Sequence, residues 1–309
     1  LETRLDCYSL IIISHYSSGY IMNQSTRLQL NQPPSTLNLY RRALFAKGVK
    51  SSTPKLPTTS ITLANIKADS KKVAQYRDVC GFQQDNNLLP LTFPHLLAFP
   101  LHLELMLLKD FPFAVMGMVH VRNEITQHRA INILEIMDVS CHFSDIRKTD
   151  KGFDIDIKTE IHITGELVWE SISTNLVRKK TDIASAPKSK DAQAELPYKE
   201  FWNLSSDLGR RYALVSGDSN PIHLFNLSAK LFGFKGHIAH GMWTKSRAVA
   251  ALYNKIDSEA CKVVVDFKLP IFLPATIQLN YALNEDCIEF DIKDQAGIKP
   301  HMKGQISAL

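Results

Sequence analysis

Residues 212–244 read YALVSGDSNPIHLFNLSAKLFGFKGHIAHGMWT. Within them, Ser216-Gly217-Asp218-Ser219-Asn220-Pro221 is turn chemistry, since Gly, Asp, Asn and Pro each favour a reversal of the chain. Pro221 disfavours helical geometry at Asn220, so the chain turns between Asp218 and His223. A carboxylate and an imidazole at that spacing can converge on one water molecule. Set against an apolar helix and sheet, the carboxylate is partly desolvated, and its pKa is expected to rise towards the range useful for proton transfer. Taken singly, these residues have plainer readings: a loop, a satisfied histidine, glycines at loop ends. Their order sets them apart.

Next, Ile238-Ala239-His240-Gly241-Met242 leads into an apolar helix candidate running from Gly241 to Tyr253. Met242, Val249 and Leu252 form a core-facing stripe, while Ser246, Ala248, Ala250 and Ala251 keep the helix slim. A helix starting near Gly241 presents unpaired N–H groups to whatever precedes it, and glycine lets a ligand approach the backbone. Such a terminus can stabilise a developing enolate oxygen on a thioester.

Upstream, Leu208 to Gly217 is echoed by Val73 to Gly81: Tyr76 and Tyr212, Val79 and Val215, and Gly81 and Gly217 keep one constant offset of 136 residues. Each segment leads to an apolar helix candidate, Pro94 to Leu108 in the first copy, and then to strand-like segments only. This self-similarity points to duplication. Phe153–Lys158 and Ile288–Lys293 alternate apolar and polar residues, the pattern of antiparallel strands with one wet face. Cys261–Phe267 is rich in valine and reads as another strand. Lys179 to Lys199 is charged, lacks apolar period and carries Pro187 and Pro197, which makes it a linker. The expected organisation is a poorly ordered extension over 1–37, a first unit over 38–178, a linker over 179–196 and a second unit over 197–309. Each unit is α+β, a helix followed by antiparallel strands that wrap it.

The run Ser216-Gly217-Asp218-x-Asn220-Pro221-Ile222-His223 with Gly233-Phe234 and Ile238-Ala239-His240-Gly241-Met242 resembles the hydratase motif of MaoC-like dehydratases and (R)-specific enoyl-CoA hydratases. The likeness is strong over about residues 205–275 and extends in weaker form to 65–178. It implies a double hot-dog fold: two antiparallel sheets, each wrapping a central helix. It also implies an acyl-thioester hydro-lyase that interconverts trans-2-enoyl and (R)-3-hydroxyacyl groups in fatty-acid metabolism. Asp218 and His223 would be the catalytic pair, Gly241 would bind the thioester carbonyl through its N–H, and Asn220 would brace the loop. Ser216 and His240 would complete the substrate-binding set.

No metal or redox cofactor is implied; coenzyme A or an acyl-carrier protein is part of the substrate. One departure is Gly236-His237, where many relatives carry proline. The first unit has Phe82 at the position of Asp218 and no Asn-Pro-x-His after it, with Asp85-Asn86-Asn87 the nearest polar substitute. It is expected to be non-catalytic, free to widen its channel for a bulky acyl chain, and His95, His102 and His120 are read as structural. A hot-dog acyl-CoA thioesterase and a non-catalytic acyl-thioester binding protein are the alternatives.

Composition narrows the remaining classes. The 309 residues are 45% hydrophobic and 22% charged, with no apolar run long enough to cross a membrane. Five scattered cysteines suggest neither a zinc site nor a disulfide framework and favour a reducing compartment. The acid-poor stretch 7–68 can be read as a mitochondrial transit peptide, but a solvated leader in a cytoplasmic protein is preferred. The first methionine is Met22, so residues 1–21 are read as a poorly defined start. The net charge of +5 is dispersed without aromatic-basic alternation, which argues against nucleic acid and suits phosphate-bearing coenzyme A or an acidic carrier. A homodimer is one assembly open to such a chain.

Overall fold

The computed structural model describes residues 9–10, 26–49, 53–84, 87–184, 196–256, 258–285 and 287–309. The expected extension and linker fall partly outside that set, as do Cys7, Asp85 and Asn86. In chain order the elements are β1 (Ser9–Leu10), β2 (Arg27–Leu30), α1 (Thr36–Phe45), β3 (Ser60–Lys67), α2 (Ser70–Cys80), α3 (Pro94–Met106), β4 (Val119–Gln127), β5 (Ile136–Thr149), β6 (Gly152–Ile163) and β7 (Glu166–Arg178). Then come β8 (Tyr198–Leu204), α4 (Leu208–Ser216), a 3₁₀ turn (Pro221–His223), α5 (Asn226–Leu231), α6 (Gly241–Leu252), β9 (Cys261–Phe267), β10 (Ala275–Leu283), β11 (Cys287–Asp294) and β12 (Pro300–Ala308). The expected domain boundary at 37/38 lies inside α1.

The α+β expectation holds, and the two anticipated sheets are joined edge to edge. Among the described residues, twelve strands form one sheet in the order β1-β2-β3-β5-β6-β7-β4-β9-β12-β11-β10-β8. The reason is local: β4 and β9 end the sheets of their halves, and each leaves a row of unpaired backbone groups that the other satisfies. Charges reinforce this seam, with Arg122 donating to Asp266 at 2.9 Å and Lys262 lying 3.1 Å from Glu124. All described pairings are antiparallel except β2 with β3. The alternation at 153–158 falls in β6 and that at 288–293 in β11, while the valine-rich run 261–267 is β9; the buried residues of these strands share one core with two apolar helices.

Those helices are α3 and α6. The first is apolar almost all round, with Leu96, Ala98, Leu101 and Leu105 buried, as a helix enclosed by a sheet must be. The second buries Met242, Val249 and Leu252, the stripe read from the sequence, and also Lys245. Lys245 is tolerated there because its Nζ donates to Asn123 O at 3.2 Å, Asn123 Oδ1 at 2.6 Å and Val263 O at 3.1 Å. It thereby ties α6 to the β4–β9 seam.

The repeated segments pack on each other. Helices α2 and α4 are in contact, and the rings of Tyr76 and Tyr212 are 6.3 Å apart. Tyr76 also shares a hydrogen bond of 2.6 Å with Ser246, and Trp243 donates to Val79 O at 2.8 Å, so α2 of one half supports α6 of the other.

Candidate active site

Helix α4 ends at Gly217, whose φ of 78° is the left-handed turn that glycine adopts without strain. Three short-range bonds then shape the loop. Ser216 Oγ accepts from Asp218 N–H at 3.1 Å, Asp218 Oδ1 from Asn220 N–H at 3.2 Å, and Asn220 Oδ1 from Ile222 N–H at 3.4 Å. The 3₁₀ turn begun by Pro221 delivers His223, only 8% exposed. Its Nδ1 faces the Ile238 carbonyl at 2.9 Å and must carry the proton, which leaves Nε2 as a bare acceptor.

His240 sits immediately before α6, in extended conformation. Its Nε2 donates to the Asp218 carbonyl at 3.0 Å and lies 3.8 Å from Asp218 Oδ2, and its ring stacks on His223 with centroids 3.7 Å apart. The segment before α6 is held by strand-like bonds: Ala239 N–H donates to Ile271 O at 2.9 Å and Leu273 N–H to His237 O at 3.0 Å. The Gly241 N–H opens α6 beside this cluster. A Cβ there would come within 3.1 Å of the Phe267 ring, so the close packing favours glycine.

Asp218, His223, His240, Gly241, Asn220 and Ser216 all border one cavity of about 1460 Å³. Leu96, Phe99, Leu103 and Met106 of α3 border it too, so the N-terminal half supplies apolar wall. Lys151, Arg178, Lys179 and Lys180 add positive charge to the same lining.

The protonation states differ from the sequence expectation. Burial, the largest single influence, does push the Asp218 carboxyl upward. The fields of His240 and His223, with hydrogen bonds from Tyr40 and Asn220 N–H, together outweigh it, and the carboxyl is held below its usual range. His223 is lowered by burial against the opposing charge of Asp218 and its bond to Ile238. His240 is lowered to about 3, chiefly by burial. At neutral pH the site therefore holds a carboxylate and two neutral imidazoles.

Asp218, His223 and His240 are the group among the described residues whose donor atoms lie close enough, within 4.8 Å, to hold a metal ion. Their geometry suits hydrogen bonding better. Imidazole binds metal through an in-plane lone pair, and stacked rings set those lone pairs side by side; His240 Nε2 and His223 Nδ1 already donate to carbonyls.

Three contributors escaped the motif. Tyr40 of α1 donates to Asp218 Oδ1 at 2.5 Å from 178 residues away, and no local pattern could announce it. Gly209 faces the loop that carries Asp218 and His223 so closely that a Cβ would sit 2.0 Å from His223 O; a glycine inside a helix is a visible signal. His237 accounts for the missing proline. Its ring bridges Asn226 Oδ1 at 2.6 Å and Ser206 O at 2.7 Å, so hydrogen bonds supply the rigidity that a pyrrolidine ring would give. His95, His102 and His120, read as structural, border the cavity as well.

Comparison with known proteins follows the same line. The family model described as a MaoC like domain matches residues 188–303. The chain is 32% identical over 282 residues to 3-hydroxyacyl-thioester dehydratase X of Mycobacterium tuberculosis, covering 91% of this chain and 100% of that one. The crystal structure of HtdX from that organism superposes with a TM-score of 0.71 at 31% identity, over 81% of this chain and 100% of that chain. A MaoC-like dehydratase from Phytophthora capsici gives 0.68 at 16% identity, over 81% and 95%, a likeness of hot-dog fold alone.

Proposed function

The chain belongs to the MaoC-like dehydratase family, and from that premise we propose that it is a hydro-lyase acting on acyl thioesters in fatty-acid metabolism, interconverting trans-2-enoyl and (R)-3-hydroxyacyl groups. One observation carries the reading. A carboxylate, a bare imidazole nitrogen and the start of a buried helix meet on the wall of one cavity large enough for an acyl chain.

In hydration, water would lie between Asp218 and His223 Nε2, both acceptors at neutral pH, and would add to the β-carbon. The Gly241 N–H would stabilise charge on the thioester oxygen, and a proton would reach the α-carbon on the same face. Dehydration is the reverse. Asn220 and Ser216 would hold Asp218 in place, and His240 would orient both partners of the pair. Because Asp218 and His223 interact directly, their titrations belong to the pair.

The same reading makes the chain a double hot dog, with residues 38–178 as the non-catalytic unit and 197–309 as the catalytic one. The lysines and arginine of the lining suit the phosphates of coenzyme A, and no helix among the described residues is long and apolar enough to cross a membrane.

The test is spectrophotometric hydration of crotonyl-CoA. Loss of the enoyl absorbance without release of free thiol supports the reading; free thiol would instead favour thioester hydrolysis. A product refused by an (S)-specific 3-hydroxyacyl-CoA dehydrogenase would support the (R) assignment, and its oxidation would overturn it.

A further inference from the structure

The chemistry above leaves three histidines of the N-terminal half unused. His95 and His102 lie two turns apart on α3, 6% and 4% exposed, and His120 is on β4. Their rings cluster, with centroids 5.5 Å apart for His95 and His102 and 6.1 Å for His95 and His120. The cluster begins one ring away from the helix entry, because His120 packs at 5.1 Å on Phe267, the ring that covers Gly241.

His102 is satisfied by Thr159 Oγ1 at 2.7 Å. His95 Nδ1 and His120 Nε2 are not: both are buried and have no hydrogen-bond partner among the described residues. A helix whose neighbouring positions are leucine and phenylalanine could have carried another apolar residue at 95 at no polar cost.

Burial keeps these rings uncharged, with His102 lowered to about 3, His120 to about 4 and His95 well below its usual value. A neutral imidazole offers one donor and one acceptor, which matches a hydroxyl or a carbonyl rather than an anion.

We propose that His95 and His120 form a polar subsite of the acyl channel, which receives an oxygen carried on the acyl chain of a hydroxylated or keto-bearing thioester. The proposal rests on the hydro-lyase reading and names the class of acyl group.

It is tested with full-length protein and trans-2-decenoyl-CoA beside counterparts bearing one hydroxyl or one ketone at successive carbons, with crotonyl-CoA as a short control. The wild type is expected to favour at least one oxygenated chain by about 10-fold in kcat/KM, the scale of one neutral hydrogen bond. His95→Leu or His120→Leu should erase that preference while crotonyl-CoA hydration is retained. A wild type that handles plain and oxygenated chains alike, or prefers the plain one, overturns the subsite whatever the variants do. So do leucine variants that keep the preference. Failure to hydrate any of these thioesters would instead remove the hydro-lyase reading, and the subsite with it.

Discussion

Gly81 and Gly217 end α2 and α4 in the same left-handed turn, with φ of 79° and 78°, and the two halves part company at the next residue. In the first half Phe82 follows and stacks on Tyr76 at 6.0 Å. The loop beyond is clamped by buried Arg77, which donates to the Gln83 and Leu88 carbonyls. In the second half Asp218 follows, about a quarter exposed, at the wall of the cavity. The equivalent of Arg77 is Ala213, too small to clamp anything. The equivalent of Gly209 is Val73, whose bulk would exclude a loop packed as closely as the one bearing His223. One scaffold thus holds a closed, filled turn in one copy and an open, polar one in the other.

That contrast can be broken by experiment. The largest effect is expected from His223→Ala, which should lower enoyl-CoA hydration at least ~100-fold, the scale of positioned acid–base catalysis. Asp218→Asn should be comparably impaired. It also removes the charge that raises His223, so any residual activity should lose its acid limb at lower pH than wild type.

Gly209→Ala comes next. The added methyl meets the His223 carbonyl, so a loss of roughly 10- to 100-fold is expected, with circular dichroism still native; near-wild-type turnover would show that loop proximity is not what separates the halves.

Tyr40→Phe is smaller and tests the sign of the electrostatics. The phenol's hydrogen bond lowers the Asp218 pKa, so its loss raises that pKa and protonation begins at higher pH on acidification. The acid limb of kcat/KM should move up by about one pH unit, in line with a hydrogen bond to a charged group. An unmoved or lowered limb would contradict the proposed role. Smallest of all is Phe82→Asp, expected to yield no activity in an Asp218→Asn background, because Arg77 and Val73 keep the first loop from forming the pocket.

Much of the candidate site could be read in the chain because it is local. Asp218, Asn220, Pro221 and His223 belong to one turn whose bonds span two or three residues, and His240-Gly241 sits at a helix start set by the apolar run after it. Tyr40 could not be read: a basic, acid-poor segment gave no sign that α1 would place one phenol on a carboxylate far along the chain. The Asp218 shift runs opposite to the direction that an apolar context implies, for a related reason. Burial is inferable from an apolar context, but the compensating phenol and the second imidazole arrive from α1 and from the entry to α6.

The sequence by itself determined the α+β class, a helix followed by strands in each half and the turn that carries Asp218 and His223, because hydrophobic period and turn chemistry act over a few residues. Only the tertiary structure decided that β4 and β9 fuse the sheets, that His240 and His223, helped by a distant tyrosine, hold the Asp218 carboxyl below its usual range, and that three histidines of the N-terminal half border the cavity. Those outcomes rest on which surfaces come together in space, and burial, charge and hydrogen bonding between such surfaces are set by proximity rather than by order along the chain.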